Sequence, residues 1–167
     1  AGVPVRVTWT REDDMRHDFY RPVSHHVLSG GVSADGKLVA FTHRVVAPSI
    51  TGQSSPERIK DGLDKGAVEG TINLPYDIPN LQIEYVMANT PVPIGSWRSV
   101  YPSQNVFALE CFMDELAGAA GKDPYAFRRA LMLNRPRMLR VLDLAAEKSG
   151  LDKPLPAGRY RGIAFSP

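Results

Sequence analysis

The chain opens on "VPVRVTW", in which Val3, Val5, Val7 and Trp9 alternate with Pro4, Arg6 and Thr8. A two-residue period of this kind predicts a strand with one buried face. The charged run "REDDMRHD" breaks the alternation and reads as a short helix or a turn. Two further apolar runs, "HHVLSGGV" and "LVAFTHRVVA", flank Ala34, Asp35, Gly36 and Lys37. Asp-Gly between alternating runs is hairpin chemistry, because glycine adopts the positive φ that the turn needs. From Pro48 to Pro79 the chain is rich in Gly, Ser and Pro, which predicts irregular backbone with at most a short helix near Glu57 to Asp61. "LQIEYVMAN" then restores strand character, with Leu81, Ile83, Tyr85 and Met87 on one face.

In the C-terminal half the period changes to three and four. Val106, Leu109, Met113, Leu116 and Ala120 form one helical stripe, with Ser103 as the expected N-cap and Gly121 as the stop. Asp123-Pro124 restarts a helix with Phe127, Ala130 and Leu131 on its inner face. Pro136 opens a third, carrying Leu139, Leu142, Ala145 and Ala146 until Gly150. Strands followed by helices predict an α+β fold: an antiparallel or mixed sheet with a hairpin in the N-terminal half, and three helices in the C-terminal half. Residues 1–167 read as a single domain. Strand-like sequence at the start and the apolar "GRYRGIAFSP" at the end read as cuts through a longer subunit.

Composition narrows the function classes. With 43% hydrophobic residues and 20 basic against 18 acidic side chains, the chain can bury a core, and its net charge of +2 argues for neither a nucleic-acid nor a membrane partner. The basic segments "RPRMLR" and "GRYRG" lack the interleaved aromatic platforms of an RNA-binding surface. No apolar run approaches the roughly 20 residues of a membrane helix. The single cysteine, Cys111, excludes an internal disulfide framework and a thiolate-held metal cluster built from this chain alone.

Candidate chemistry is sparse. There is no glycine-rich phosphate loop, no Gly-x-Ser-x-Gly elbow and no His-Glu-x-x-His. Among His17, His25, His26 and His43, the adjacent His25 and His26 point to opposite faces of a strand and do not share a metal. Glu12, Asp13 and Asp14 read as a solvated turn. The loop "VPIGSWRSVYPSQN" is different, because it carries Trp97, Arg98 and Tyr101 straight into a helix. Two readings stand side by side. The loop either covers a sheet end, with Arg98 paired to a carboxylate, or lines a pocket for a planar or anionic ligand. Glu110, on the flank of the stripe, is either a catalytic carboxylate or a partner for nearby backbone.

"TREDDMRHDFYRP", "YDIPN", "VPIGSWRSVYPSQNVFALECFMDELAGAAGKDPYAFRRALM" and "LPAGRYRGIA" together resemble the molybdopterin-binding subunit of the xanthine dehydrogenase and aldehyde oxidase family, in its isoquinoline 1-oxidoreductase β-subunit type. The resemblance implies a molybdopterin-type molybdenum cofactor in the full-length protein, with none expected on this chain alone. Trp97, Arg98, Ser99 and Gln104 then correspond to the family's cofactor-facing loop, and Pro102 to its trailing proline. Arg98 is the candidate substrate-orienting residue. Ser99 stands where many members have glycine. Members hydroxylate N-heterocycles or aldehydes with oxygen from water, using a glutamate base from a Gly-Glu motif that this sequence lacks, and pass electrons to iron–sulfur clusters. The implied partners are the remainder of the subunit, an iron–sulfur subunit or domain, and a small heterocyclic or aldehyde substrate. No catalytic residue is expected within this chain, and the chain alone is expected to be inactive. A non-catalytic binding or assembly module of the same fold is the competing reading. Bacterial cytoplasm and periplasm both remain open.

Overall fold

The computed structural model describes residues 2–166. The acidic run does form a helix, α1 (Arg11–His17), because Thr10 accepts from the Asp13 amide while the Asp13 carboxylate accepts from the Thr10 amide. That reciprocal capping box satisfies two of the amides a helix start leaves open. The strand expected before it does not form. Val3, Val5, Val7 and Trp9 are exposed, and residues 3–9 make no hydrogen bond to any described residue. A strand needs a neighbour for its backbone groups, and this chain offers none there.

β1 (His25–Val32) and β2 (Leu38–Ala47) form the expected antiparallel hairpin, with His25 opposite Val46 and Gly30 opposite Phe41. Gly36 takes φ +73° in the turn, which Lys122 ties to the helical half by donating to the Gly36 carbonyl at 2.6 Å. β3 (Asn80–Met87) pairs parallel to β2, from Ala40 opposite Asn80 to Ala47 opposite Met87. The sheet is therefore mixed, in the order β1-β2-β3.

A parallel neighbour requires a long crossover. Here it contains α2 (Ile50–Ser54) and a 3-10 turn at Pro56–Arg58, so the helical residues lie mostly before the expected Glu57–Asp61 position. Buried Asp64 organises the remainder: its carboxylate accepts from the hydroxyls of Ser49 and Thr51 and from the amides of Thr51 and Gly66.

α3 (Pro102–Ala119) packs across the sheet. Leu109, Met113 and Leu116 meet Phe41 and Leu38 in the main core. Gly30 lets the helix approach, since a Cβ there would sit 2.7 Å from Leu116 Cδ2. The helix begins at Pro102, after Tyr101, and no side chain caps it. Ser103 lies inside the first turn and donates to the Val100 carbonyl. α4 (Pro124–Ala130) starts at the Asp123 cap, and α5 (Pro136–Ser149) ends at Gly150 in the left-handed conformation. Ala130 and Ala145, expected inside, are exposed.

One buried feature has no periodic signature in the sequence. Arg128 is fully buried and donates from Nε to Glu110 Oε2 at 2.9 Å, from Nη1 to Asp114, and from Nη2 to the Glu110 carbonyl at 2.8 Å. Tyr76 donates to Glu110 Oε1 at 2.8 Å, and the Phe165 amide to Glu110 Oε2 at 3.1 Å. Glu110 thus serves backbone, as one of its two readings held, and also neutralises a buried cation.

Candidate functional site

The Trp97–Gln104 segment turns sharply before entering α3. The Val100 amide donates to the Trp97 carbonyl at 2.7 Å, closing a turn with Arg98 and Ser99 at its centre. Ser99 has φ +71° and Val100 φ +36°, both in the left-handed region. Non-glycine residues there cost about 1–3 kcal/mol each, more for a β-branched side chain such as Val100. Ser99, the residue expected where many relatives carry glycine, therefore holds a glycine-like backbone.

Tyr101 resolves to packing. It is 2% exposed, donates to the Pro48 carbonyl at 2.7 Å and accepts from the Ile50 amide at 2.9 Å. The start of α3 is thereby fixed to the exit of β2. Gln104 is half-buried and donates to the Pro22 carbonyl at 3.4 Å. Trp97 is half exposed, with its indole donating to the Phe19 carbonyl at 2.8 Å.

Arg98 behaves differently from its neighbours. It is exposed, and its guanidinium has no hydrogen-bond or ion-pair partner among the described residues. The expectation of a tie to a carboxylate is not met. The amides of Arg98, Ser99 and Tyr101 likewise lack partners among the described residues. The loop therefore presents one cation and several backbone donors, with Asp18 lining the hollow beside Ser96 and Trp97. A cleft of about 560 Å³ borders it, walled by Met15, Phe19, Tyr20 and Trp97 and rimmed by the charged Arg11, Asp14 and Asp18. A larger hollow of about 640 Å³ lies away from the loop, between α4 and α5, where the Arg129–Asp143 ion pair occupies its wall.

Sequence patterns mark no single residue in segment 19–22 as functional, yet it lies along the whole loop. Tyr20 donates to the Pro93 carbonyl and accepts from the Gly95 amide, and Arg21 reaches Arg98, Val100 and Ser103. Gly95 permits this approach, because a Cβ there would fall 2.6 Å from Phe19 Cβ. No local pattern reveals contacts across so much intervening chain.

The histidines give no metal site. His25 and His26 do face opposite ways, but His26 Nδ1 meets His43 Nε2 at 2.8 Å across β1 and β2, a pairing that strand register alone brings about. His43 is fully buried with Nδ1 unpartnered, and burial, then the neighbouring His26, pushes its pKa down to about 4. No group of three or more His, Cys, Asp or Glu side chains suited to a metal occurs among the described residues.

The site is thus an α+β scaffold presenting a strained, donor-rich loop. The family model of the molybdopterin cofactor-binding domain matches residues 1–132. The β-subunit of isoquinoline 1-oxidoreductase from Brevundimonas diminuta is 28% identical, covering 99% of this chain and 22% of that protein. A nicotinate dehydrogenase subunit of Pseudomonas putida is 31% identical over 87% of this chain and 13% of its own length. The chain thus spans less than a quarter of these relatives. Among solved structures, the aldehyde oxidoreductase of Desulfovibrio gigas superposes with a TM-score of 0.58 at 22% identity, over 87% of this chain and 18% of that one, a likeness of fold. The chain belongs to the molybdopterin cofactor-binding domain family, in the xanthine dehydrogenase and aldehyde oxidase group of molybdenum hydroxylases.

Proposed function

We propose that this chain is part of the large subunit of a molybdenum hydroxylase and forms one wall of its cofactor and substrate site. The observation that carries the reading is Arg98, an unpaired guanidinium presented by a strained turn beside amides that also lack partners among the described residues. The amides of Arg98 and Ser99 and the side chain of Gln104 are the groups that would hold the cofactor, with Trp97 as an apolar flank. When bound, the cofactor supplies two-electron oxidation of a substrate carbon, with oxygen drawn from water. Arg98 orients an N-heterocycle or aldehyde through its ring nitrogen or carbonyl oxygen and stabilises the negative charge that develops there in the transition state. Such a contact is formed more strongly in the transition state than in the ground state, so it acts on rate. The proton-abstracting base and the iron–sulfur electron path are assigned to the rest of the subunit and to a partner.

The exposed Val3–Trp9 segment supports the assignment to a larger subunit. It lies within the part that matches the family model, so it belongs to the domain, yet its strand pattern finds no neighbour among the described residues. A β-strand supplied by the rest of the subunit would satisfy it.

The test is Arg98→Ala in the full-length, metal-loaded protein, with melting temperature, molybdenum content and steady-state kinetics measured on one preparation. The expected result is intact folding and metal content with kcat/KM lower by roughly 10²–10³-fold. Full turnover would refute the active-site wall and leave the non-catalytic assembly module.

A further inference from the structure

The direction in which Arg98 points is set by the peptide planes on either side of it, and a second arginine grips those planes. Trp97 to Val100 is a turn with positive φ at its third residue, Ser99, and not at its second, Arg98. That is the type II pattern, which favours glycine at the third position. A serine there relaxes most simply by flipping the Arg98–Ser99 peptide, which restores negative φ and gives the type I turn. The flip swings the Arg98 carbonyl to the opposite side of the turn.

In the structure that carbonyl accepts from Arg21 Nη2 at 3.3 Å, while Arg21 Nη1 donates to the Val100 carbonyl at 3.0 Å and to Ser103 Oγ at 2.6 Å. The Arg21 guanidinium also lies 6.0 Å from the centre of the Trp97 ring, within cation–π range. Its own backbone is anchored independently of the turn. Tyr20 pairs with Pro93 and Gly95 on one side, and Gln104 bonds the Pro22 carbonyl on the other. Only the type II form places the Arg98 carbonyl on this fixed fork.

We propose that Arg21 is a positioning residue: it holds the Arg98–Ser99 peptide in the glycine-like orientation that presents the Arg98 guanidinium. The inference rests on the role proposed for Arg98 and adds the group that maintains it. Three acceptors are gripped by one planar fork, so lysine, with a single ammonium, replaces arginine only in part.

The test uses full-length, metal-loaded protein carrying Arg21→Ala, Arg21→Lys, Arg98→Ala, Arg21→Ala with Arg98→Ala, and Arg21→Ala with Ser99→Gly. Hydrogen exchange of the peptide containing Val100 is followed without substrate. Arg21→Ala should accelerate it about tenfold, with exchange elsewhere unchanged and Arg21→Lys intermediate. Turnover should fall about tenfold in kcat with KM little altered, and should fall no further when Arg98 is already alanine. Ser99→Gly should restore most of kcat to Arg21→Ala, because glycine adopts the positive φ unaided. Unchanged exchange overturns the proposal whatever Arg98 does, and so do losses at Arg21 and Arg98 that simply multiply. Accelerated exchange beside a fully active Arg98→Ala would instead overturn the active-site reading while upholding Arg21 as the clamp of the turn.

Discussion

Arg128 carries its charge with no exposed surface, between Glu110 and Asp114. Removing one member of such a pair leaves the other ion buried and uncompensated, which typically costs about 3–5 kcal/mol. Arg128→Met should therefore lower stability by that amount in urea denaturation, and the Glu110→Gln change should lower it less, since the amide still accepts from Tyr76. His43 makes a separate prediction about pH. Its folded pKa lies near 4 against an ordinary value of 6.5, because burial, then His26, disfavours the charged ring. Between those values the unfolded chain binds a proton that the folded chain refuses. Stability is then complete above about pH 6.5 and falls as pH drops towards about 4, by up to about 3 kcal/mol. Melting curves at neutral pH and at about pH 4.5 would show the difference, and His43→Leu should remove most of it.

At the scale of elements, α3 is the link between core and loop. Its first turn inherits the geometry of the Trp97–Val100 turn, and its middle is buried against β1 and β2 through Leu109, Met113 and Leu116. Leu116 is 5% exposed and fills the space left by Gly30. Leu116→Ala should destabilise by about 2–5 kcal/mol, as buried large-to-small changes do. A thermal midpoint unchanged within error would show that this stripe does not hold the helix on the sheet. Tyr101 anchors the other end of the same link, so the base of the Trp97–Val100 turn is fixed to the exit of β2.

For the molecule as a whole, the mixed sheet and α3 to α5 form a scaffold, and the unpaired Val3–Trp9 segment points to contacts beyond it. Val5 is 67% exposed, so Val5→Lys should leave the melting temperature of residues 1–167 alone unchanged. In a full-length subunit the same substitution would place a charge in a paired strand, and the midpoint should fall by several degrees. Equal behaviour in both would remove the argument for strand addition. No helix among the described residues is long and apolar enough to cross a membrane.

The hairpin, β3 and the three C-terminal helices were legible because their signals are local: Asp35-Gly36 for the turn, the three-and-four stripe for α3, Asp123-Pro124 and Gly150 for helix ends. The loop was legible as a candidate site through the motif around Arg98. Other features depend on residues brought together from distant parts of the chain. The strand pattern of residues 3–9 could not form without a neighbour, and Ser103 lost its capping role because Pro102 and the anchored Tyr101 start the helix two residues earlier. Arg128 carries no local signal of burial, and packing alone placed it beside Glu110. His26 meets His43 through the register of two strands, and Arg21 meets the Arg98 turn through a segment distant in sequence. Sequence alone determined the hairpin turn, the period of α3 and the ends of α4 and α5, because each depends on residues within about a helical turn of one another. Tertiary structure decided which charges are buried, which strands find partners and how Arg98 is held, because those free energies depend on desolvation and contact between groups far apart in the chain.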